Sequence, residues 1–122
     1  MNYKNILVIG VLLCAQVGQA FEVIAGCQEQ DYVEGDLSAS VATMGRSYTP
    51  KCLKVVVGSE VSISASQHHP LAPLPGDGNP IPSTEQTASV LFENPGVFGY
   101  FCTRHGDTDG TGMAGAIWVI EE

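Results

Sequence analysis

The sequence has 122 residues, which is enough for one domain with a modest hydrophobic core. It carries 5 basic and 13 acidic residues, for a formal net charge of −8. No basic patch is present, so the composition argues against binding to nucleic acid or to anionic membrane surfaces. An acidic surface would instead favour encounters with cationic partners, or would only keep an exported protein soluble.

The first twenty residues have the features of an export signal. Lys4 supplies a positive charge, residues 6–15 are mostly apolar, and Gly18-Gln19-Ala20 is a small-x-small cleavage site. The apolar run is too short to span a bilayer. We therefore predict a signal peptide over residues 1–20 and a mature domain over residues 21–122, with a net charge of −9 and a periplasmic or secreted location.

The mature chain reads as short strands separated by turns. The predicted strands cover residues 21–24, 38–43, 53–57, 61–66, 87–92, 97–102 and 114–120. Residues 67–83 contain five prolines and are predicted to form a long irregular loop, because proline is incompatible with helices and central strands. No segment predicts a helix. This pattern indicates an all-β sandwich or barrel.

Three cysteines follow residue 20: Cys27, Cys52 and Cys102. In an exported protein an odd number leaves one thiol with another role. We predict a disulfide between Cys27 and Cys52, and a free thiol at Cys102, which lies close to a histidine. A free thiol in an oxidising compartment is normally lost unless something holds it, and a metal ion does so.

Residues 97–113, VFGYFCTRHGDTDGTGM, bring Cys102, His105 and Met113 into one short run. A thiolate, an imidazole and a thioether suit copper, and two histidines, a cysteine and a weak axial methionine form a blue-copper electron-transfer site. Strand alternation places Cys102 on one face together with Phe98 and Tyr100, and His105 is predicted on the loop that follows.

The second histidine of such a site must come from upstream. The pair His68-His69 precedes Pro70 and supplies the only histidines besides His105. Adjacent strand positions face opposite ways, so only one of the two can point at a metal ion.

The segment N-P-G-V-F-G-Y-F-C-T-R-H, the later G-M-A-G and the upstream H-P-L resemble the cupredoxins, the plastocyanin-like small blue copper proteins of exported bacterial type. The resemblance extends over residues 27–120 and is strongest in the C-terminal third. It implies a Greek-key β-sandwich that binds one copper ion, with Cys102 as the thiolate ligand, His105 as an imidazole and Met113 as the axial thioether. His69 matches the upstream imidazole, with His68 as the alternative.

The resemblance also implies a function. The protein would not be an enzyme and would carry single electrons by cycling between Cu(I) and Cu(II), with His105 as the point of electron exchange. Its partners would be redox proteins, such as a cytochrome or a copper oxidase, that dock weakly over a small area. A periplasmic copper carrier or copper-resistance protein is the alternative. A metal-free adhesive sandwich would leave the cysteine, histidine and methionine unexplained.

One feature departs from the family pattern. Seven residues separate His105 from Met113, more than in plastocyanin-like loops. The longer loop would hold Met113 further from the metal or admit another axial donor. Within it, residues 107–110 resemble a fragment of a calcium loop, but they supply far fewer oxygens than calcium requires, so a solvated turn is favoured. Met44 is a further thioether that is more simply a core or surface residue.

Overall fold

The computed structural model describes residues 21–122, which form two β-sheets. The strands are β1 (Val33–Glu34), β2 (Ser38–Met44), β3 (Ser47–Thr49), β4 (Cys52–Val56), β5 (Ser59–Ile63), β6 (Leu71–Pro73), β7 (Ala88–Phe92), β8 (Gly96–Gly106) and β9 (Gly112–Ile120). One 3-10 turn precedes β1, and no helix of the described residues is long and apolar enough to cross a membrane. The predicted signal peptide over residues 1–20 lies outside the described residues.

The larger sheet has the strand order β1-β4-β9-β8-β6 and the smaller one β3-β2-β5-β7. The predicted all-β, two-layer architecture is confirmed. Strands β8 and β9 are neighbours inside the larger sheet, so the Cys102 end of β8 lies next to the Met113 end of β9. We call this end of the molecule the site end.

The core fills the space between the two sheets. In β5, Val61 and Ile63 are fully buried while Ser62 is half-buried, as the predicted alternation requires. Phe92 and Tyr100 are the largest fully buried side chains. Burial of an apolar side chain such as Phe92 contributes roughly 1.5–3 kcal/mol, so this layer fixes the sheets and, with them, the strand ends that carry the site.

The N-terminal segment covers the outer face of the larger sheet. Ala25 belongs to a second apolar cluster on that face, together with Leu74 and Phe101. The predicted disulfide is confirmed: Cys27 is bonded to Cys52, 25 residues away. Cys102 is the one free cysteine among residues 21–122, and it is buried.

The predicted strand over residues 21–24 is wrong. Ala25 and Gly26 have φ angles of +55° and +77°, which turn the backbone out of an extended path. The turn is closed by the N–H of Cys27, which donates to the carbonyl of Ile24 at 2.9 Å. The apolar residues of this segment therefore pack as a covering layer and do not join a sheet.

Three short strands were not expected: β1, β3 and β6. Strand β6 lies within the proline-rich segment predicted to be irregular, so that prediction is wrong over Leu71–Pro73. Since β6 is the edge of its sheet, Pro73 does not need to donate to a second neighbour. Strands β8 and β9 are longer than predicted, and β5 both begins and ends earlier.

Removing the disulfide is expected to destabilise the fold strongly. The Cys27→Ala/Cys52→Ala double variant should lose about 3 kcal/mol of unfolding free energy, because the bond closes a chain segment of intermediate length in the unfolded state. Denaturant unfolding measures this loss. The reduced wild-type protein is the internal control and should lose a similar amount, whereas a loss below about 1 kcal/mol in both would contradict the expectation.

Candidate metal centre

Cys102 reaches the site from the middle of the larger sheet. It pairs with Leu71 of β6, is fully buried and belongs to the main core together with Tyr100. Phe101, the residue between them, belongs to the cluster on the outer face. The predicted inward face of β8 is therefore confirmed, and the thiol lies at the end of the core.

His105 lies within β8, so its predicted position on a loop is wrong. In a regular strand, residues three apart face opposite sides of the sheet, and His105 would point away from Cys102. The pairing of β8 with β9 is irregular between Phe101 and Gly106. A bulge of this kind changes the side to which later residues point, and it brings the imidazole back to the side of the thiol.

His69 enters from the segment that links β5 to β6. Its backbone N–H and C=O exchange hydrogen bonds with Ser66 at 3.2 and 3.1 Å, and the N–H of Thr103 donates to the carbonyl of Pro70 at 3.0 Å. These bonds hold His69 beside β8. The side chain of His68 is exposed and lies outside the cluster, so the geometry selects His69 from the pair.

The three side chains form a compact donor set. The Sγ of Cys102 lies 3.8 Å from Nδ1 of His69 and 3.6 Å from Nδ1 of His105. All three donor atoms lie within 4.8 Å of one another. A sulfur and a nitrogen bound to one ion at about 2.3 and 2.0–2.1 Å, with an angle of about 110–120° between them, are about 3.5–3.8 Å apart. The spacing therefore fits a single metal ion.

The donors are nitrogen and sulfur, without a carboxylate. Residues 21–122 contain no other group of three potential metal-binding side chains of this kind. Such a set excludes the hard, oxygen-preferring cations and suits copper or zinc. The buried thioether of Met113, on the strand next to Cys102, favours copper, because soft sulfur ligands select it.

Met113 is the second residue of β9. It is 1% exposed and belongs to the same buried cluster as Cys102. The strands pair again at Gly106 and Gly112, immediately before Met113. Residues 107–111, which make the loop longer than in plastocyanin-like proteins, therefore project beyond the paired ends of β8 and β9. Met113 stays buried in the core despite them.

Residues 107–111 form a turn that is bonded to itself. The N–H of Asp107 donates to the carbonyl of Thr111 at 3.0 Å, and the N–H of Gly110 donates to the carbonyl of Asp107 at 3.0 Å. The Asp109 carboxylate accepts bonds from the N–H and the hydroxyl of Thr111 at 3.0 and 2.6 Å. The carboxylates thus serve the turn itself, which supports the solvated turn over a calcium loop.

The same turn rests on the N-terminal segment. A Cβ atom at Gly110 would lie 3.2 Å from the backbone of Ala25. The turn is therefore directed over the outer face of the larger sheet. Met44, the other methionine considered, is 61% exposed at the end of β2 and is a surface residue.

The hydrogen bonds within this turn can be tested by measuring the pKa of Asp109. The hydrogen bonds from Thr111 stabilise the charged carboxylate and lower its pKa below the ordinary value of 3.8. Their contribution is present above that ordinary value and is lost as the pH falls through the lowered one. We expect Thr111→Val to raise the NMR titration midpoint of Asp109 towards 3.8. An unchanged midpoint would contradict the turn described here.

The electrostatic surroundings favour a neutral imidazole at His105. Partial desolvation is the largest cause of a lowered pKa at His105. Positive charges add to it, from Arg46, His69 and Arg104. A neutral imidazole is the form that binds metal. Sequence reasoning missed Arg46, because the turn that carries it is far from His105 in the chain and no motif connects the two.

Tyr48 is a further residue beside the thiol. It is 3% exposed and packs its ring edge against Tyr100, with ring centroids 4.8 Å apart. Burial raises the pKa of Tyr48, and the charge of Cys102 raises it further. The phenol therefore stays protonated and forms part of the apolar wall of the site.

Solved structures share this architecture at low sequence identity. The chain superposes on a copper-containing nitrite reductase from Thermus scotoductus SA-01 with a TM-score of 0.56 and 19% identity, over 76% of this chain and 29% of that one. A pseudoazurin from Sinorhizobium meliloti gives 0.55 and 22% over 73% and 76% of the two chains. One from Methylobacterium extorquens AM1 gives 0.53 and 18% over 70% and 76%.

No protein-family model and no curated protein matches the sequence. The solved structures therefore establish the fold, which is cupredoxin-like, and the predicted fold class is confirmed.

Proposed function

We propose that this chain, with its cupredoxin-like fold, is a mononuclear copper protein that carries single electrons between redox partners in the periplasm. The observation that supports it best is the buried thiol with two imidazoles, whose donor atoms lie within 4.8 Å of one another. The proposed ligands are His69, Cys102 and His105, with Met113 as the axial thioether. One copper ion per chain would be bound.

The surroundings of these residues support a redox role. Bound copper would supply a one-electron couple. The ligands lie on or next to paired strands, so the chain holds the donor set in place and limits rearrangement between the two oxidation states. Apolar packing around the Cys102 sulfur keeps water away and tunes the potential. His105 is half-buried, so its ring can connect the interior with a docked partner.

The protein is proposed to act without catalysis. Four protein ligands leave no open position for a substrate on a mononuclear ion. Its partners would be other redox proteins, such as a cytochrome or a copper oxidase, that dock over a small area and separate quickly. Export to the periplasm would follow from the predicted signal peptide and agrees with the disulfide.

A spectroscopic titration tests the proposal. Cu(II) is added to the metal-free protein while the visible spectrum is recorded. We expect an intense blue or green band that saturates at one copper per chain, that bleaches on one-electron reduction and that returns on oxidation. Binding without an intense band would contradict a Cys102–copper(II) bond. Rapid transfer of the copper to a competing chelator would instead favour the carrier function.

A further inference from the structure

Strand β7 forms one edge of the smaller sheet and pairs with β5 on its inner side. The other side of β5 faces β2, since the N–H of Glu60 donates to the carbonyl of Leu37, directly before β2, at 2.8 Å. Backbone groups of successive strand residues point to opposite sides. Val61, the next residue of β5, is therefore the one that bonds to β7, through its partner Val90.

The same alternation leaves part of the β7 backbone without a partner. Ser89 and Leu91 flank Val90, so their N–H and C=O groups point away from β5. No other backbone group of residues 21–122 bonds to them. The nearest passing segment leaves a shallow groove there, which Gly78 and Pro80 line together with Leu91. The outer side of β7 is therefore an open strand edge.

The other sheet edges carry the protection that edge strands usually have, which is shortness, charge, proline or a cover. Strand β1 has two residues and includes Glu34, and β3 has three residues and ends before Pro50. Strand β6 contains Pro73, and its Leu71 exchanges two backbone bonds with Thr84. Strand β7 has five residues with neither proline nor charge, and they hold an unbroken register with β5.

The charge of the molecule indicates what can approach this edge. Residues 21–122 have a net charge of −9, so two copies repel each other over most orientations. Residues 87–92 are uncharged, and the nearby Glu60 carboxylate accepts a bond from the Ser89 hydroxyl at 2.8 Å. Leu91 is 50% exposed on the same face. The edge of β7 is thus a place where two acidic copies can meet without opposing carboxylates.

We propose that β7 pairs with β7 of a second copy, antiparallel and about a two-fold axis at Val90. Ser89 then lies opposite Leu91 of the second copy, so the outward backbone groups of both residues are paired. The two Leu91 side chains become diagonal neighbours, within reach of each other. Glu93 falls opposite Thr87 of the second copy and not opposite its own equivalent, which avoids a like-charge pair.

The product is a dimer in which the two smaller sheets form one continuous sheet. Pairing of two short strands buries less than the roughly 1,200 Å² of a stable interface, so the dimer is weak and depends on concentration. This inference goes beyond the proposed function and does not depend on it. The copper-loaded and the metal-free protein should dimerise alike, so a failed copper titration leaves the dimer standing.

Sedimentation equilibrium tests the proposal on both forms of the protein. We expect the average mass to rise from that of a monomer towards that of a dimer as the concentration rises. The association constant should increase with salt, because salt screens the repulsion between two acidic copies. A monomer at every concentration would overturn the proposal, and this includes the case in which a strand of another protein occupies the edge.

Two substitutions at Ser89 locate the interface. Ser89→Pro removes an outward N–H that is not used in the ladder, so the fold should tolerate it, while the association constant should fall at least about tenfold. Ser89→Ala is the matched control, because it also loses the hydroxyl bonded to Glu60 but keeps the N–H, and it should associate like the wild type. Equal association constants for the two variants would overturn the proposal.

Amide hydrogen exchange of the wild type gives a measurement that needs no variant. The amides of Ser89 and Leu91 point to the open edge, so they should exchange rapidly in dilute protein and more slowly in concentrated protein. The amide of Val90, which bonds to β5, should be protected at both concentrations. Slowing confined to amides outside β7 would place the interface elsewhere and overturn the proposal.

Discussion

Cys102→Ala is expected to remove the intense visible absorption of the copper-loaded protein and to leave the fold in place. The band requires a thiolate bound to Cu(II), and Cys102 is the one free cysteine of the described chain. The cost to stability should be about 1–2 kcal/mol, since a single buried sulfur atom is lost from a core with many other contacts. Visible spectra and circular dichroism of the variant, with and without Cu(II), measure both effects.

The histidine pair supplies the matched control for this site. His69→Ala should weaken copper binding and change the band, because its Nδ1 lies 3.8 Å from the Cys102 sulfur. His68→Ala removes an imidazole one residue away that is exposed and lies outside the cluster, and it should leave the band unchanged. A full-intensity band in Cys102→Ala would refute the site. Equal effects of the two histidine variants would refute the choice of His69.

The strand pattern and the donor residues could be predicted because they are local properties. Alternation in β5 places Val61 and Ile63 inside without knowledge of their partners. The odd number of cysteines indicated the disulfide and the free thiol, and the structure contains both. The copper ligands remain a proposal, although three of the four donors meet in the fold.

The errors concern features that depend on contacts between distant segments. Strand β6 forms because its proline-containing segment pairs with the free edge of β8, and an edge strand tolerates proline. The bulge that brings His105 to the side of Cys102 depends on how β9 pairs with β8. Neither feature is encoded in the periodicity of one segment.

The distribution of charge over the surface also depends on contacts between distant segments. Composition gives the net charge, but not its distribution over the surface. Arg46 lies at the same end of the sandwich as His105 because β2 runs parallel to β5, which leads towards His69.

Gly112→Ala is expected to damage the fold and the metal site together. Gly112 has a φ of +75°, and a Cβ atom there would lie 2.5 Å from the carbonyl oxygen of His105. The left-handed backbone and the collision should together cost about 2–4 kcal/mol of unfolding free energy. Because the displaced carbonyl belongs to one proposed ligand and Met113 follows directly, the copper band and the reduction potential should change as well.

Gly45→Ala separates the two causes of this effect. Gly45 has a similar φ of +62°, but a Cβ atom there would meet nothing within 4 Å. Its replacement should therefore cost only the backbone term, about 1 kcal/mol, and leave the copper spectrum unchanged. If Gly112→Ala were no more destabilising than Gly45→Ala and kept the wild-type band, the close strand pair at Gly106 and Gly112 would not position the site. A larger loss of stability with a changed band would show that this pair, and not the length of the turn beyond it, sets the place of Met113.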